Sequence, residues 1–143
     1  MDRKSEDELD RNPTPDISDP KVRAEYSLSA LAGFAAIMKA WAVQDDDARK
    51  LIGEVSSESY EAIKSSKYSE VVTEEQLTCI SYLIGVYKAL HILLPNDLAD
   101  AWMSRPNDNH IFGGIAPLEF SLKEGLPGLA KVRRLLDEEI QRH

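Results

Sequence analysis

The chain has 143 residues, a formal net charge of −8 and 43% hydrophobic content, which suffices for a sizeable core. Such acidity excludes a protein whose whole surface holds nucleic acid, because that affinity comes from Lys and Arg neutralising phosphates. The single cysteine, Cys79, excludes an intramolecular disulfide, and the charged amino terminus lacks the apolar run of a signal peptide. The longest apolar-rich segment, residues 80–94, is shorter than the roughly 20 residues that cross a bilayer. We expect a cytoplasmic protein with no membrane role.

Residues 1–27 are dense in charge and include Pro13, Pro15 and Pro20. They carry few large apolar groups, so they cannot offset the entropy lost on ordering. We predict a flexible arm over this range.

The first helix is predicted from Leu28, because apolar residues recur at helical spacing from there to Trp41. Asp45–Asp47 then supply an acidic cap and first turn for a second, short helix, where negative charge suits the positive helix end. Gly53 is expected to end that helix. A metal site at the aspartates is disfavoured, because no further carboxylate or His lies at ligand spacing.

A third, short helix follows the glycine, with Ser56 or Ser57 as its cap and with Tyr60 and Ile63 turned inward. Two short helices around a glycine turn are typical of a helix-turn-helix unit, which we predict within residues 28–70. The generic motif has a small residue four positions before the glycine, whereas this chain has Arg49 there. The candidate DNA-binding residues are Arg49, Lys50, Ser57, Tyr60, Lys64 and Lys67.

The longest helix begins after Thr73, where Gln76 completes a capping box in which each side chain satisfies the other's backbone N–H. Its apolar residues cover most sides, and Pro95 ends it. We expect it to be the central helix of the fold.

Three further helices are predicted after the central one. Asn96 or Asp97 caps the first, Pro117 begins the second and Gly125 closes it, and Pro127 begins the last. Strand-like alternation is missing from the sequence. The sequence therefore predicts an all-α protein of about seven short helices.

The sequence offers few groups for catalysis. His91 lies on a nearly apolar helix, where a hydrogen-bonded histidine is favoured over a catalytic one. His110 has no Cys or carboxylate at metal-ligand spacing. We interpret Cys79 as a small, buried hydrophobic residue. Gly113-Gly114 lacks the Lys and the strand of a phosphate loop. We predict no catalytic residue, no metal and no cofactor.

The loop after the fifth helix has the composition of a recognition element. Trp102, Arg105, Asn107 and Phe112 combine a guanidinium, an amide and two aromatics, and Arg and aromatics dominate binding hot spots. The alternative is that the two aromatics only fill the core. The last helix carries cations early and anions late, opposite to the preference of the helix dipole, which hints at partner contacts.

Several spaced blocks resemble the Xre/MbcA/ParS antitoxins over about Leu77 to Leu136. The blocks are Ile80-Ser81-Tyr82-Leu83-Ile84-Gly85-Val86-Tyr87-Lys88-Ala89-Leu90, Trp102 with Arg105-Pro106-Asn107, Phe112-Gly113-Gly114 with Pro117-Leu118, and Gly125-Leu126-Pro127-Gly128-Leu129 running into Val132-Arg133-Arg134-Leu135-Leu136. Agreement of several blocks in order is a specific signal.

The resemblance implies an antitoxin of a type II system, with a toxin-binding domain over residues 71–143 behind an Xre-like helix-turn-helix region. The partner would be a cognate toxin, of the NAD-degrading RES class or the related ADP-ribosylating kind, whose active site the antitoxin covers. The resemblance also implies a homodimer and binding to operator DNA, with autorepression. Besides the loop residues, it places Arg133, Arg134, Arg142 and His143 at the toxin.

The chain departs from the family in its second predicted short helix. Residues 56–64 offer one cation and two glutamates, whereas family recognition helices are rich in Arg, Lys and Trp. Glutamate repels phosphate, although it can accept a hydrogen bond from cytosine. Two other interpretations stay open: a helix-turn-helix transcription regulator without a toxin partner, and an enzyme.

Overall fold

The computed structural model describes residues 18–142, which form seven α-helices and one 3₁₀ turn without strands. The predicted all-α class is therefore confirmed. Residues 1–17 of the predicted arm and His143 lie outside the described residues. The helices, numbered in chain order, are α1 (Pro20–Ala40), α2 (Asp45–Leu51), α3 (Ser57–Lys64), α4 (Glu74–Leu93), α5 (Asn96–Trp102), α6 (Pro117–Glu124) and α7 (Leu126–Arg142), with the 3₁₀ turn at His110–Phe112.

Helix α1 begins eight residues earlier than predicted. Asp19 caps it by accepting a hydrogen bond from the Lys21 N–H at 2.9 Å, and Pro20 occupies the first turn. Proline there costs nothing, because the first N–H groups of a helix have no intrahelical acceptor. The prediction that the whole of residues 1–27 is a flexible arm was wrong for residues 20–27, because Pro20 starts a helix. Leu28, the predicted start, lies mid-helix and is 64% exposed.

Helices α2 and α3 occupy the predicted positions on either side of Gly53. Gly53 has φ +97°, a left-handed conformation that suits glycine and ends α2. The Ser56 hydroxyl caps α3 by accepting from the Ser59 N–H at 3.0 Å, so Ser56 is the cap and Ser57 the first helical residue. The inward positions predicted for Tyr60 and Ile63 are confirmed, since both side chains are buried.

Helix α4 is the centre of the fold, as predicted. Its capping box is formed: Thr73 Oγ1 accepts from the Gln76 N–H at 3.0 Å, and Gln76 Oε1 accepts from the Thr73 N–H at 2.9 Å. The Gln76 amide nitrogen also donates to the carbonyl of Ile52 at 3.1 Å, which ties the start of α4 to the end of α2. Among the described helices, α4 alone has the length and composition to cross a bilayer. Leu83, Val86 and Leu90 of this helix are fully buried in the core, and α4 contacts both α1 and α7.

Helix α5 follows α4 after the predicted stop at Pro95. The prediction that Asn96 or Asp97 caps α5 was wrong: Pro95 is the cap residue, and no side chain caps this end. The side chain of Asn96 bonds instead to His91 of α4, at 2.9 Å from Nδ1. Its oxygen is therefore engaged across the α4–α5 corner rather than on its own helix.

Helices α6 and α7 begin and end close to the predicted positions. Pro117 occupies the first turn of α6, and Gly125, with φ +73°, ends it. Helix α7 runs parallel to α4. Near the start of the two helices Leu129 and Cys79 line the same cavity, and near their ends Leu136 and Leu90 line the same groove. One continuous core extends from α1 to α7, across the domain boundary predicted at residues 70 and 71.

Candidate functional site

A groove opens where the end of α4, the loop after α5 and the second half of α7 meet. It has a volume of about 290 Å³. Six apolar and three polar residues line it: Leu90, Leu93, Leu94, Trp102, Leu135 and Leu136, with Asn107, Asn109 and Glu139. We call it the C-terminal groove.

The loop that forms one wall is held by aromatic packing. The ring of Trp102 lies edge-on to Phe112 at 6.0 Å, and Phe112 lies edge-on to Phe120 of α6 at 5.2 Å. Edge-to-face geometry is the favourable one for such rings. Phe112 is buried, 2% exposed, whereas Trp102 is half-buried and lines the groove. The ring of Phe112 therefore supports Trp102 from behind and does not reach the surface.

Two asparagines fix the backbone of the same wall. Asn107 Oδ1 accepts from the Asn109 N–H at 2.8 Å, and Asn109 Oδ1 accepts from the Ile111 N–H at 3.1 Å. These are local side-chain-to-backbone turns of the kind that Asn favours. The side-chain oxygens of Asn107 and Asn109 are therefore engaged within the loop.

The helix wall carries charge at its end. Glu139 lines the groove and forms an ion pair with Arg142 one turn later. The Glu139 and Arg142 side chains are 39% and 70% exposed, so water screens the pair and it adds little stability. Arg142 therefore lies at the rim of the C-terminal groove through its bond to Glu139.

The remaining predicted toxin-binding residues lie apart from the groove. Arg133 packs on α4, where it donates to the carbonyl of Ser81 at 3.5 Å, and it pairs with Asp137 of its own helix at 3.6 Å. Its guanidinium lies against Gly85, where any side chain would overlap it. Arg105 and Arg134 are exposed. The structure thus brings Trp102, Asn107 and, through Glu139, Arg142 together.

Sequence reasoning missed several groove residues. Leu94 and Leu135 look like ordinary core positions in the sequence, yet both are half-buried on the groove. Asn109 and Glu139 carry no motif of their own. These residues belong to a site only because the end of α4, the loop after α5 and α7 meet in the folded protein, which the sequence alone does not show.

The candidate DNA-binding residues are mostly engaged within the protein. Lys64 pairs with Asp45 at 2.9 Å and Glu61 at 3.0 Å, and hydrogen bonds to these carboxylates raise the pKa of its ammonium group. Tyr60 is 2% exposed, and burial raises the pKa of its phenol. The ring packs edge-on against Phe34, and its burial leaves no face open to a base.

Arg49 is also used internally. Its Nε donates to the carbonyl of Val55 at 2.9 Å, and its guanidinium pairs with Asp46 at 3.3 Å. Lys50, Ser57 and Lys67 are exposed. Of the predicted cations, only Lys50 and Lys67 have no ion pair within residues 18–142.

His91 and Cys79 have structural partners. His91 bonds Asn96 through Nδ1 and Asp100 through Nε2, at 2.9 and 2.8 Å. Cys79 donates its S–H to the carbonyl of Leu51 at 2.8 Å, and burial raises the pKa of its thiol to about 12. Within residues 18–142, no three His, Cys, Asp or Glu side chains approach as a metal site requires.

Residues 89–139 match the family model of the antitoxin Xre/MbcA/ParS C-terminal toxin-binding domain. The resemblance is confirmed. The match covers about a third of the chain, from the last turns of α4 to the last turns of α7, and indicates an antitoxin toxin-binding domain. No curated protein and no solved structure matches the chain.

All nine residues of the C-terminal groove fall within this toxin-binding segment. Three other grooves on the described part of the chain each draw on residues before Ala89. The C-terminal groove is therefore a concave feature that the toxin-binding segment builds by itself.

Proposed function

We propose that this chain is the antitoxin of a type II pair and neutralises its toxin by binding, with the C-terminal groove at the centre of the interface. The observation that carries the proposal is the coincidence of the groove with the toxin-binding segment at residues 89–139. The groove combines leucines and Trp102 with three polar side chains, and aromatic residues are enriched at the centres of protein interfaces.

The partner we propose is an NAD-degrading RES-type toxin, or the related ADP-ribosylating kind. A cleft that holds a dinucleotide pyrophosphate has to be basic, and a chain of net charge −8 is attracted to it. Exposed cations on the same part of the chain, Arg105, Arg134 and Arg142, can pair with carboxylates around the cleft. Covering the cleft requires no chemistry from the inhibitor, and an interface of about 1,600 Å² suffices.

The test is co-expression with the product of the adjacent reading frame, followed by purification and measurement of NAD consumption. We expect the two proteins to purify together and NAD to remain. Removing residues 141–143 should restore NAD consumption while leaving the thermal unfolding of the antitoxin unchanged, because no buried side chain is lost from the described part. A neighbour that neither binds the chain nor is inhibited by it would overturn the proposal.

For operator DNA, we propose that any contact falls to Lys50, Lys67 and Ser57, with a homodimer doubling the contacts. Lys64 and Arg49 are occupied by carboxylates, and each unavailable cation removes one phosphate contact. We therefore expect operator binding, and with it autorepression, to be weaker than toxin binding. The rival, a cytoplasmic transcription regulator without a toxin, requires specific operator binding with a steep salt dependence, which a titration at several salt concentrations measures.

A further inference from the structure

We infer that the exposed face of α1 is a dimer surface, on which α1 of a second copy packs antiparallel about a two-fold axis at Ala32. The inference deepens the proposed function, because it assigns a surface and a register to the homodimer proposed there. A symmetric dimer buries the same patch on both copies, so that patch has to be complementary to itself. The exposed face of α1 meets this requirement in shape and in charge.

Helix α1 carries a regular row of residues on the side away from the core. Glu25, Leu28, Ala32, Ala35 and Lys39 recur at the alternating spacing of three and four residues that is typical of paired helices. Four of these side chains are exposed and Ala35 is half-buried. Leu28 is 64% exposed, which leaves a large apolar side chain in water. We call this row the α1 seam.

Two grooves lie beside the α1 seam. Leu28 lines one of about 410 Å³, together with Val71, which is 78% exposed. Ala32, Ala35 and Lys39 line the other, of about 470 Å³, against α3. Because Leu28 and Ala32 are about one turn apart, the two grooves follow one another along the helix. A second helix on the seam therefore finds space for its side chains and removes exposed apolar surface from water.

The sizes of the side chains fit an antiparallel pair with its axis at Ala32. Leu28 lies four residues before the axis and Ala36 four residues after it, so each leucine faces an alanine of the other copy. Large and small side chains then meet twice in each dimer. Ala32 faces Ala32 of the second copy, and small side chains at that contact suit the usual separation of about 8–10 Å between helix axes.

The charges fit the same register. Glu25 lies seven residues before the axis and Lys39 seven residues after it, so each faces the opposite charge on the second copy. Neither side chain has an ion-pair partner within residues 18–142. The two are about 21 Å apart along one helix and cannot pair within a chain. A parallel pair in register would place like charges opposite each other, so the charges favour the antiparallel pair.

Cysteine cross-linking tests the axis. Facing Cα atoms on helices about 10 Å apart are separated by about 5 Å, which suits a disulfide. We expect Ala32→Cys to form a disulfide-linked dimer under mild oxidation. Ala24→Cys is the control, because it is exposed on the same helix but lies about 24 Å from its copy in this register. Native Cys79 is 7% exposed and should contribute little cross-linking.

Charge reversal tests the direction and the register. One helix face is smaller than a standard interface of about 1,600 Å², so we expect a micromolar dissociation constant, measurable by sedimentation of the purified antitoxin. Glu25→Lys and Lys39→Glu should each weaken dimerisation by about fivefold or more, because each replaces two attractions by two repulsions. The double variant Glu25→Lys/Lys39→Glu should return to within about twofold of wild type, since the opposite charges face each other again.

An exposed leucine and an exposed isoleucine test the apolar contact. Leu28→Glu should weaken dimerisation by about tenfold or more, because it places a carboxylate in the seam. Ile92→Glu is the matched control: Ile92 is 68% exposed, close to the value for Leu28, and lies on α4 away from both grooves. Its dissociation constant should equal that of wild type. Circular dichroism checks that both variants stay folded.

The outcomes separate the dimer surface from toxin neutralisation, since these experiments use the antitoxin alone. A wild-type chain that stays monomeric at about 200 μM overturns the inference and leaves the antitoxin function standing. Equal cross-linking of Ala24→Cys and Ala32→Cys, or no recovery in the double charge reversal, overturns the antiparallel register. If Leu28→Glu leaves the dimer intact and weakens toxin binding instead, the face belongs to the toxin and the inference is wrong.

Discussion

The guanidinium of Arg133 occupies the space that a side chain at Gly85 would need. A Cβ atom built on Gly85 would lie 2.5 Å from Nε of Arg133, well inside contact distance. Because Gly85 has no side chain, the guanidinium of Arg133 on α7 can lie directly against the backbone of α4. The flanking bonds of Arg133 to Asp137 and Ser81 show that its role in the isolated protein is packing.

Gly85→Ala should move Arg133 without unfolding the protein. The overlapping atoms are the end of a flexible side chain, and Ala is more favourable than Gly within a helix by about 1 kcal/mol. We expect the free energy of unfolding to change by less than about 1 kcal/mol in urea titrations. Gly33→Ala is the control, because its Cβ would lie 3.6 Å from Ile84 in ordinary contact. A loss several times larger than this in Gly85→Ala alone would show that the Arg133 contact is essential to the core.

The pH dependence of stability should report the bond between His91 and Asp100. Burial lowers the pKa of His91, but its hydrogen bonds to Asp100 and Asn96 and the charge of Asp100 together raise it. A raised folded pKa gives stability that is complete below the unfolded value of about 6.5 and is lost as pH rises through the folded pKa. Asp100→Asn should therefore cost more stability at pH 5.5 than at pH 9.

The expected size of that difference is about 0.2–1 kcal/mol, as for a partly exposed pair at the protein surface. Asp97→Asn is the matched control, since it removes a carboxylate from the same helix without touching His91. Its effect should stay constant between pH 5.5 and 9. A pH-independent cost of Asp100→Asn would mean that the bond does not depend on the charge of His91.

Trp41 should tolerate Phe far better than Ala. The indole is 2% exposed, and its Nε1–H finds no acceptor within residues 18–142. An unpaired buried donor costs about 1–3 kcal/mol, which Phe removes while leaving a smaller ring. We expect Trp41→Phe to change stability by less than about 1 kcal/mol and Trp41→Ala to lose about 3–5 kcal/mol. Equal losses in the two variants would show that the indole N–H has a partner.

Releasing Lys64 should increase non-specific affinity for DNA. In Asp45→Asn/Glu61→Gln both carboxylates of Lys64 are neutralised, so its ammonium can contact phosphate. We expect tighter binding to duplex DNA than in Asp47→Asn/Glu58→Gln, which loses the same charge but no Lys64 pair. The salt slope should steepen by about one unit for the added contact. Identical slopes in the two double variants would contradict a role for the ion pairs.

Local signals predicted the helix boundaries that depend on neighbouring residues. The Thr73–Gln76 capping box, Pro117 and Gly125 act over one turn, so their effects can be deduced from sequence. The start of α1 was missed because Pro20 suggests disorder by composition, although after Asp19 it is a helix start. The groove could not be predicted, since Leu94, Asn107 and Glu139 meet only after α7 has packed beside α4. Likewise, Lys64 looked available for DNA because Asp45 lies 19 residues earlier in the chain.

The Gln76 side chain has a consequence for how this protein can be recombined. One amide both starts the central helix and holds the carbonyl of Ile52 at the end of α2. A hybrid that joins the first three helices of one relative to the last four of another keeps its junction only if residue 76 still reaches that carbonyl. Exchange of the two halves is therefore constrained at the joint by Gln76, in addition to the core that the two halves share.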